Sequence, residues 1–185
     1  LAKNMTALYV TGEESLQQVA MRANRLNLPT DKLNMLSETS VEQICNLADQ
    51  LKPQIIVVDS IQVMHLSDIQ SSPGSVAQVR ECASFLTRYA KTRQVAIIMV
   101  GHVTKDGTLA GPKVLEHAID CSLLLEGEAD SRFRTLRSHQ NRFGAVNELG
   151  VFGMTEQGLR EVKNPSAIFL SRGDEQTPGS SVMVL

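Results

Sequence analysis

Two kinds of apolar spacing alternate along the first hundred residues, and together they predict a parallel α/β sheet. Ala7-Leu-Tyr-Val10 is a short apolar run stopped by Thr11-Gly12, which predicts a buried strand. Leu16, Val19, Ala20, Ala23 and Leu26 then follow helical spacing, with Pro29 marking the exit. Leu33 to Leu36 predicts a brief second strand. Ser40 with Gln43 forms a capping-box pair ahead of a helical stripe of Val41, Ile44, Cys45, Ala48 and Leu51. Gln54-Ile-Ile-Val-Val-Asp59 is the strongest strand signal, because its unbroken β-branched run implies burial on both faces. A polar loop from His65 to Gly74 leads to a second capping-box pair, Ser75 and Gln78, and a stripe of Val76, Val79, Ala83, Leu86 and Ala90. Val95-Ala-Ile-Ile-Met-Val100 predicts another buried strand, ended by Gly101. Strands alternating with helices in this way give a parallel sheet.

Beyond Gly101 the texture changes. A Gly-rich loop and a short helix (Pro112 to His117) precede strands expected at Ile119–Leu125, Phe133–Ser138, Glu148–Met154 and Ala167–Leu170, with a turn at Glu156-Gln-Gly158. This predicts an antiparallel C-terminal extension. Leu1-Ala-Lys-Asn4 reads as a helix tail and Ser181-Val-Met-Val-Leu185 as a strand stopped midway, so both ends read as cut.

Composition changes this picture little. The 185 residues are 42% hydrophobic and 21% charged, ordinary for one globular domain. A net charge of −2 requires any nucleic-acid site to be a local patch. No apolar run approaches the roughly 20 residues of a membrane span, and no signal peptide is present, which predicts a cytoplasmic protein without a membrane partner. Cys45, Cys82 and Cys121 are far apart and odd in number, so small reduced core residues are expected rather than a disulfide or zinc framework.

Open α/β sheets bind ligands beyond the carboxyl ends of their strands. That rule selects Thr11 to Ser15, Asp59-Ser60 and Gly101 to Lys105. Asp59 after four apolar residues has the Walker-B form, suited to holding Mg2+ beside nucleotide phosphates, or simply to capping the next turn. Glu13 or Glu14 could deprotonate an attacking water; alternatively the pair complements a helix dipole. His102 could sense a terminal phosphate, or be structural. In the basic stretch Arg132 to Arg142, positions 140 and 142 would share one face of a strand, placing two side chains to reach a neighbouring subunit's nucleotide, or merely guarding a strand edge. No Gly-x-x-x-x-Gly-Lys-Ser/Thr phosphate loop occurs.

These motifs carry a resemblance. Tyr9-Val-Thr-Gly-Glu-Glu-Ser15, Val57-Val-Asp-Ser-Ile-Gln62, Gln70-Ser-Ser-Pro-Gly-Ser-Val-Ala-Gln-Val-Arg80, Gly101-His-Val-Thr-Lys-Asp-Gly107 and Asn141-Arg-Phe-Gly144 resemble the bacterial RadA/Sms family from end to end. The resemblance implies a RecA-like P-loop NTPase core that uses ATP and Mg2+ and forms hexameric rings. It implies action on single-stranded DNA and recombination intermediates, in branch migration alongside a RecA-type recombinase. It also implies a zinc finger and phosphate loop upstream and a Lon-protease-like domain downstream of the segment seen here, with zinc confined to the finger. Carried over, Asp59 resembles the Mg2+ ligand, with Ser60 beside it, and Glu13 the catalytic glutamate. His102 stands at the phosphate-sensing position. Lys105 and Lys113 look like DNA-backbone contacts, and Arg80 a further one near a first loop, Leu66 to Gly74. Arg142 matches an arginine finger, but Gln140 stands where the family has Lys. A segment lacking the phosphate loop is expected to be inactive alone, and a non-catalytic assembly or DNA-binding module is the competing reading.

Overall fold

The computed structural model describes residues 3–102, 115, 117–127 and 130–164. They fall into two compact units, one of residues 1–122 with 140–143, the other of 123–139 with 144–185.

The first unit is built on a parallel sheet of β1 (Ala7–Thr11), β2 (Leu33–Ser37), β3 (Ile55–Asp59) and β4 (Ala96–Val100), in the order β2-β1-β3-β4. Helices α1 (Leu16–Arg25), α2 (Val41–Leu51) and α3 (Val76–Arg93) supply the crossovers. Leu8 and Val10 of β1 and Ile56 and Val58 of β3 are wholly buried, against Val41, Ile44 and Ala48 of α2 and Val79, Cys82 and Leu86 of α3. Each large aliphatic side chain so buried contributes about 1.5–3 kcal/mol. This is a RecA-like α/β arrangement, as the alternation of strands and helices implied.

β4 departs from expectation. Val95 to Val100 was expected to form a buried strand, yet β4 ends the sheet and Ile98 is 44% exposed. Among the described residues only β3 pairs with it. The capping boxes also differ. Ser40 and Ser75 each accept a backbone N–H from the residue three along, but only Ser15 with Gln18 closes the reciprocal box.

Gln78 does not close its box because its carboxamide is used elsewhere. Buried at 2% exposure, it accepts from the Leu66 amide at 3.1 Å. Its Nε2 donates to the carbonyls of Leu66, Ile69 and Ser71. The polar loop before α3 is thereby held from inside. Glu42 fixes its start: the Ser67 amide and hydroxyl donate to one carboxylate oxygen at 2.8 and 2.7 Å, and the Ser40 hydroxyl to the other. Burial pushes this carboxyl up, but those hydrogen bonds outweigh it and bring its pKa down to about 2.

The second unit contains most of an antiparallel sheet of β5 (Cys121–Glu126), β6 (Phe133–Asn141), β7 (Leu149–Thr155) and β8 (Gly158–Glu161), in that order. β6 runs three residues beyond Ser138, and β8 was not foreseen. Gly158, at φ +96°, makes the turn between β7 and β8 that the Glu-Gln-Gly sequence predicts. Cys45 and Cys82 are core residues whose thiols burial pushes up to about 12. Cys121 is exposed, because it opens a strand at the end of its sheet. Residues 112–114, 116, 167–170 and 181–185, where most of a short helix and two strands were expected, lie outside the described residues.

Candidate functional site at the carboxyl edge of the parallel sheet

Register brings the three selected segments together. Thr11, Asp59 and Val100 occupy one row across β1, β3 and β4, the last before each chain leaves the sheet. Gly12 continues the contact by donating its amide to the Asp59 carbonyl at 2.8 Å. A Cβ on Gly12 would stand 2.3 Å from Val63 Cγ2, so only glycine lets the two loops lie this close.

The two glutamates separate clearly. The Thr11 hydroxyl accepts the Glu14 amide at 3.0 Å and donates to its carbonyl at 2.8 Å, turning the chain tightly after β1. Glu14 then pairs with Arg22 of α1. Glu13 projects the other way, accepting from the Ser60 hydroxyl, and its Oε1 lies 3.7 Å from His102 Nε2. Of the pair, Glu13 is the one gathered with Ser60 and His102. The Asp59–Ser60 peptide is cis.

Asp59 has a partner that sequence reasoning missed. The Tyr9 hydroxyl donates to Asp59 Oδ2 at 2.5 Å. Burial, then this bond to a carboxylate, raise the Tyr9 pKa well above its ordinary value. Tyr9 lies two residues before Thr11 and therefore on the same sheet face, so strand alternation carried the signal. One carboxylate with a neighbouring hydroxyl suits Mg2+, which keeps its waters and binds few protein oxygens. Among the described residues no cluster of three metal-ligating side chains exists, so an all-protein cage is not what this edge offers.

The remaining candidates lie apart. Arg80 is on α3, paired with its neighbour Glu81. Lys105 and Lys113 lie outside the described residues. Gln140 is on β6, but the strand ends at Asn141 and Arg142 begins the following turn, so strand alternation does not put 140 and 142 on one face. Arg142 instead faces Asp120, at 3.3 Å, and the His117 carbonyl.

The fold and this edge define a RecA-like domain with an acidic, hydroxyl-flanked site beyond the strand ends. No protein-family model matches the chain. It is 95% identical over all 185 residues to the DNA repair protein RadA of Haemophilus influenzae and 80% identical over the same span to that of Escherichia coli. To the Bacillus subtilis protein of that name it is 50% identical over 177 residues. The chain belongs to the RadA family. It spans about 40% of the length of these relatives.

Proposed function

We propose that this chain is part of the ATPase core of a DNA-repair motor. The observation that carries the reading is the gathering of Glu13, Asp59, Ser60 and His102 beyond the carboxyl ends of β1, β3 and β4. The relatives are named as DNA repair proteins, which supports the repair role.

Asp59, with Ser60 beside it, would hold Mg2+, and that ion when bound would neutralise charge developing on the phosphates. Glu13 takes the proton of the attacking water, with Ser60 aiming the carboxylate. His102 donates to the terminal phosphate. Phosphate contacts of Lys105, Lys113 and Arg80 would grip single-stranded DNA without regard to sequence. We further propose a hexameric ring in which Arg142 reaches a neighbour's nucleotide. Recombination intermediates would be its substrates in the cytoplasm, alongside a RecA-type recombinase. Among the described residues no helix is long and apolar enough to cross a membrane. The 185 residues by themselves would hold Mg-ATP only weakly, because backbone amides of a phosphate loop supply most of the grip on the α- and β-phosphates.

A non-catalytic assembly module is the second reading, favoured by the lack of a phosphate-loop pattern in these 185 residues and by Gln140. Magnesium-dependent ATP hydrolysis by the full-length protein, abolished by Asp59→Asn, is the result expected. A rate undiminished in that variant would overturn the motor reading.

A further inference from the structure

The ladder between β3 and β4 stops at Asp59 and Val100. Beyond it, among the described residues, no backbone hydrogen bond reaches Gly101 or His102. The His102 side chain is 64% exposed, so packing does not hold it either. Yet its imidazole Nε2 lies 3.7 Å from Glu13 Oε1, among the residues gathered at this edge. Something other than the sheet sets the place of His102.

Gln62 supplies that hold. Its side-chain Nε2 donates to the His102 carbonyl at 2.9 Å, the ordinary length of a well-formed hydrogen bond. Gln62 sits in the single 3₁₀ turn Ile61–Val63, directly after Asp59-Ser60. That turn is itself firmly seated. Ile61 and Met64 on either side of it are buried in the core, and the Val63 and Met64 amides donate to the Ser60 and Ile61 carbonyls at 3.3 Å each. One carboxamide thus reaches from the turn after β3 to the chain leaving β4. A carbonyl oxygen accepts only from a donor, so neither a carboxylate nor an apolar side chain of the same length can take over this contact.

We infer that Gln62 is a positioning residue, which by donating to the His102 carbonyl keeps the His102 imidazole beside Glu13. The inference rests on the motor reading above, in which His102 donates to the terminal phosphate. The contribution of Gln62 to the chemistry then passes through His102. A group that acts on charge developing at the phosphate affects turnover more than ground-state affinity, so the loss falls on kcat rather than on KM.

The test uses the full-length protein and measures ATP hydrolysis. Gln62→Met keeps the length but loses the amide. Gln62→Glu keeps the shape but sets a carboxylate against the His102 carbonyl. Each should lower kcat about fivefold or more, the worth of one hydrogen bond, with the KM for ATP within about twofold of the parent. The Mg2+ concentration for half-maximal rate should not move, whereas a turn disturbed next to Asp59 would shift it. In a His102→Ala protein, Gln62→Met should cost nothing further, because the residue through which it acts is already gone. Equal losses with and without His102, or Gln62 variants as fast as the parent, would overturn the positioning role and leave the motor reading intact. A parent that hydrolyses no ATP would overturn the motor reading, and this inference with it.

Discussion

The Tyr9 hydroxyl meets Asp59 Oδ2 at 2.5 Å across the β1–β3 ladder, one strand supplying the carboxylate and its neighbour the group that aims it. Tyr9 is half-buried and Asp59 ends its strand, so the bond fixes the carboxylate rotamer at the point where a cation would need it. Tyr9→Phe should therefore weaken cation binding without disturbing the core. Loss of one such bond, about 1 kcal/mol, should raise the Mg2+ concentration for half-maximal ATP hydrolysis of the full-length protein about fivefold. An unchanged Mg2+ titration would mean that Asp59 needs no such support.

Glu13 and Glu14 should behave differently despite being adjacent. Glu13→Gln is expected to cut turnover by about 100-fold or more, the usual contribution of a positioned base. Glu14→Gln removes only an exposed ion pair with Arg22, worth about 1 kcal/mol at most, and should leave turnover within about threefold. Single-turnover rates of the two variants decide the assignment.

Glu42 predicts a pH dependence. Its folded pKa is lowered, so its stabilising contribution is present above the unfolded value near 4.5 and is lost as pH falls toward about 2. Protection of the Ser67 amide against hydrogen exchange should persist at about pH 5 and fail below about pH 3. Glu42→Gln should abolish that dependence, and protection that follows the same curve in both proteins would place the titrating group elsewhere.

The parallel sheet was legible because its strands are continuous apolar runs and its helices carry regular stripes, patterns that burial itself dictates. The carboxyl edge was legible too, since Thr11, Asp59 and Gly101 each interrupt an apolar run. Tyr9, Gln62, Gln78 and Glu42 were not singled out for the contacts they make. Each acts through a partner distant in sequence, and a polar residue gives no local sign of which backbone groups it will satisfy. β4 misled for a different reason: an apolar run reports that a strand prefers burial, and says nothing about which side its neighbour occupies. The expected pairing of 140 and 142 failed because alternation holds only while the strand continues.

Arg142 should be readily available to a second molecule. Its contact with Asp120 is between half-exposed groups and is worth about 1 kcal/mol or less, so releasing it costs little. In the full-length protein, Arg142→Ala should lower the ATPase rate about ten- to hundredfold, by removing a charge-assisted phosphate contact. Equal rates for the parent and the Arg142→Ala variant would leave Arg142 with no part in hydrolysis.

The open flank of β4, unpaired among the described residues, has a kinetic consequence. Backbone pairing does not discriminate among sequences, so a strand with one open flank accepts any extended segment that reaches it first. Charge and proline commonly deter such encounters, and Ala-Ile-Ile-Met-Val contains neither. During refolding, then, an intramolecular suitor competes with every other molecule in solution. Yield of the isolated chain should fall as its concentration rises, and the deposit that forms should show the cross-strand spacing of stacked β-ribbons.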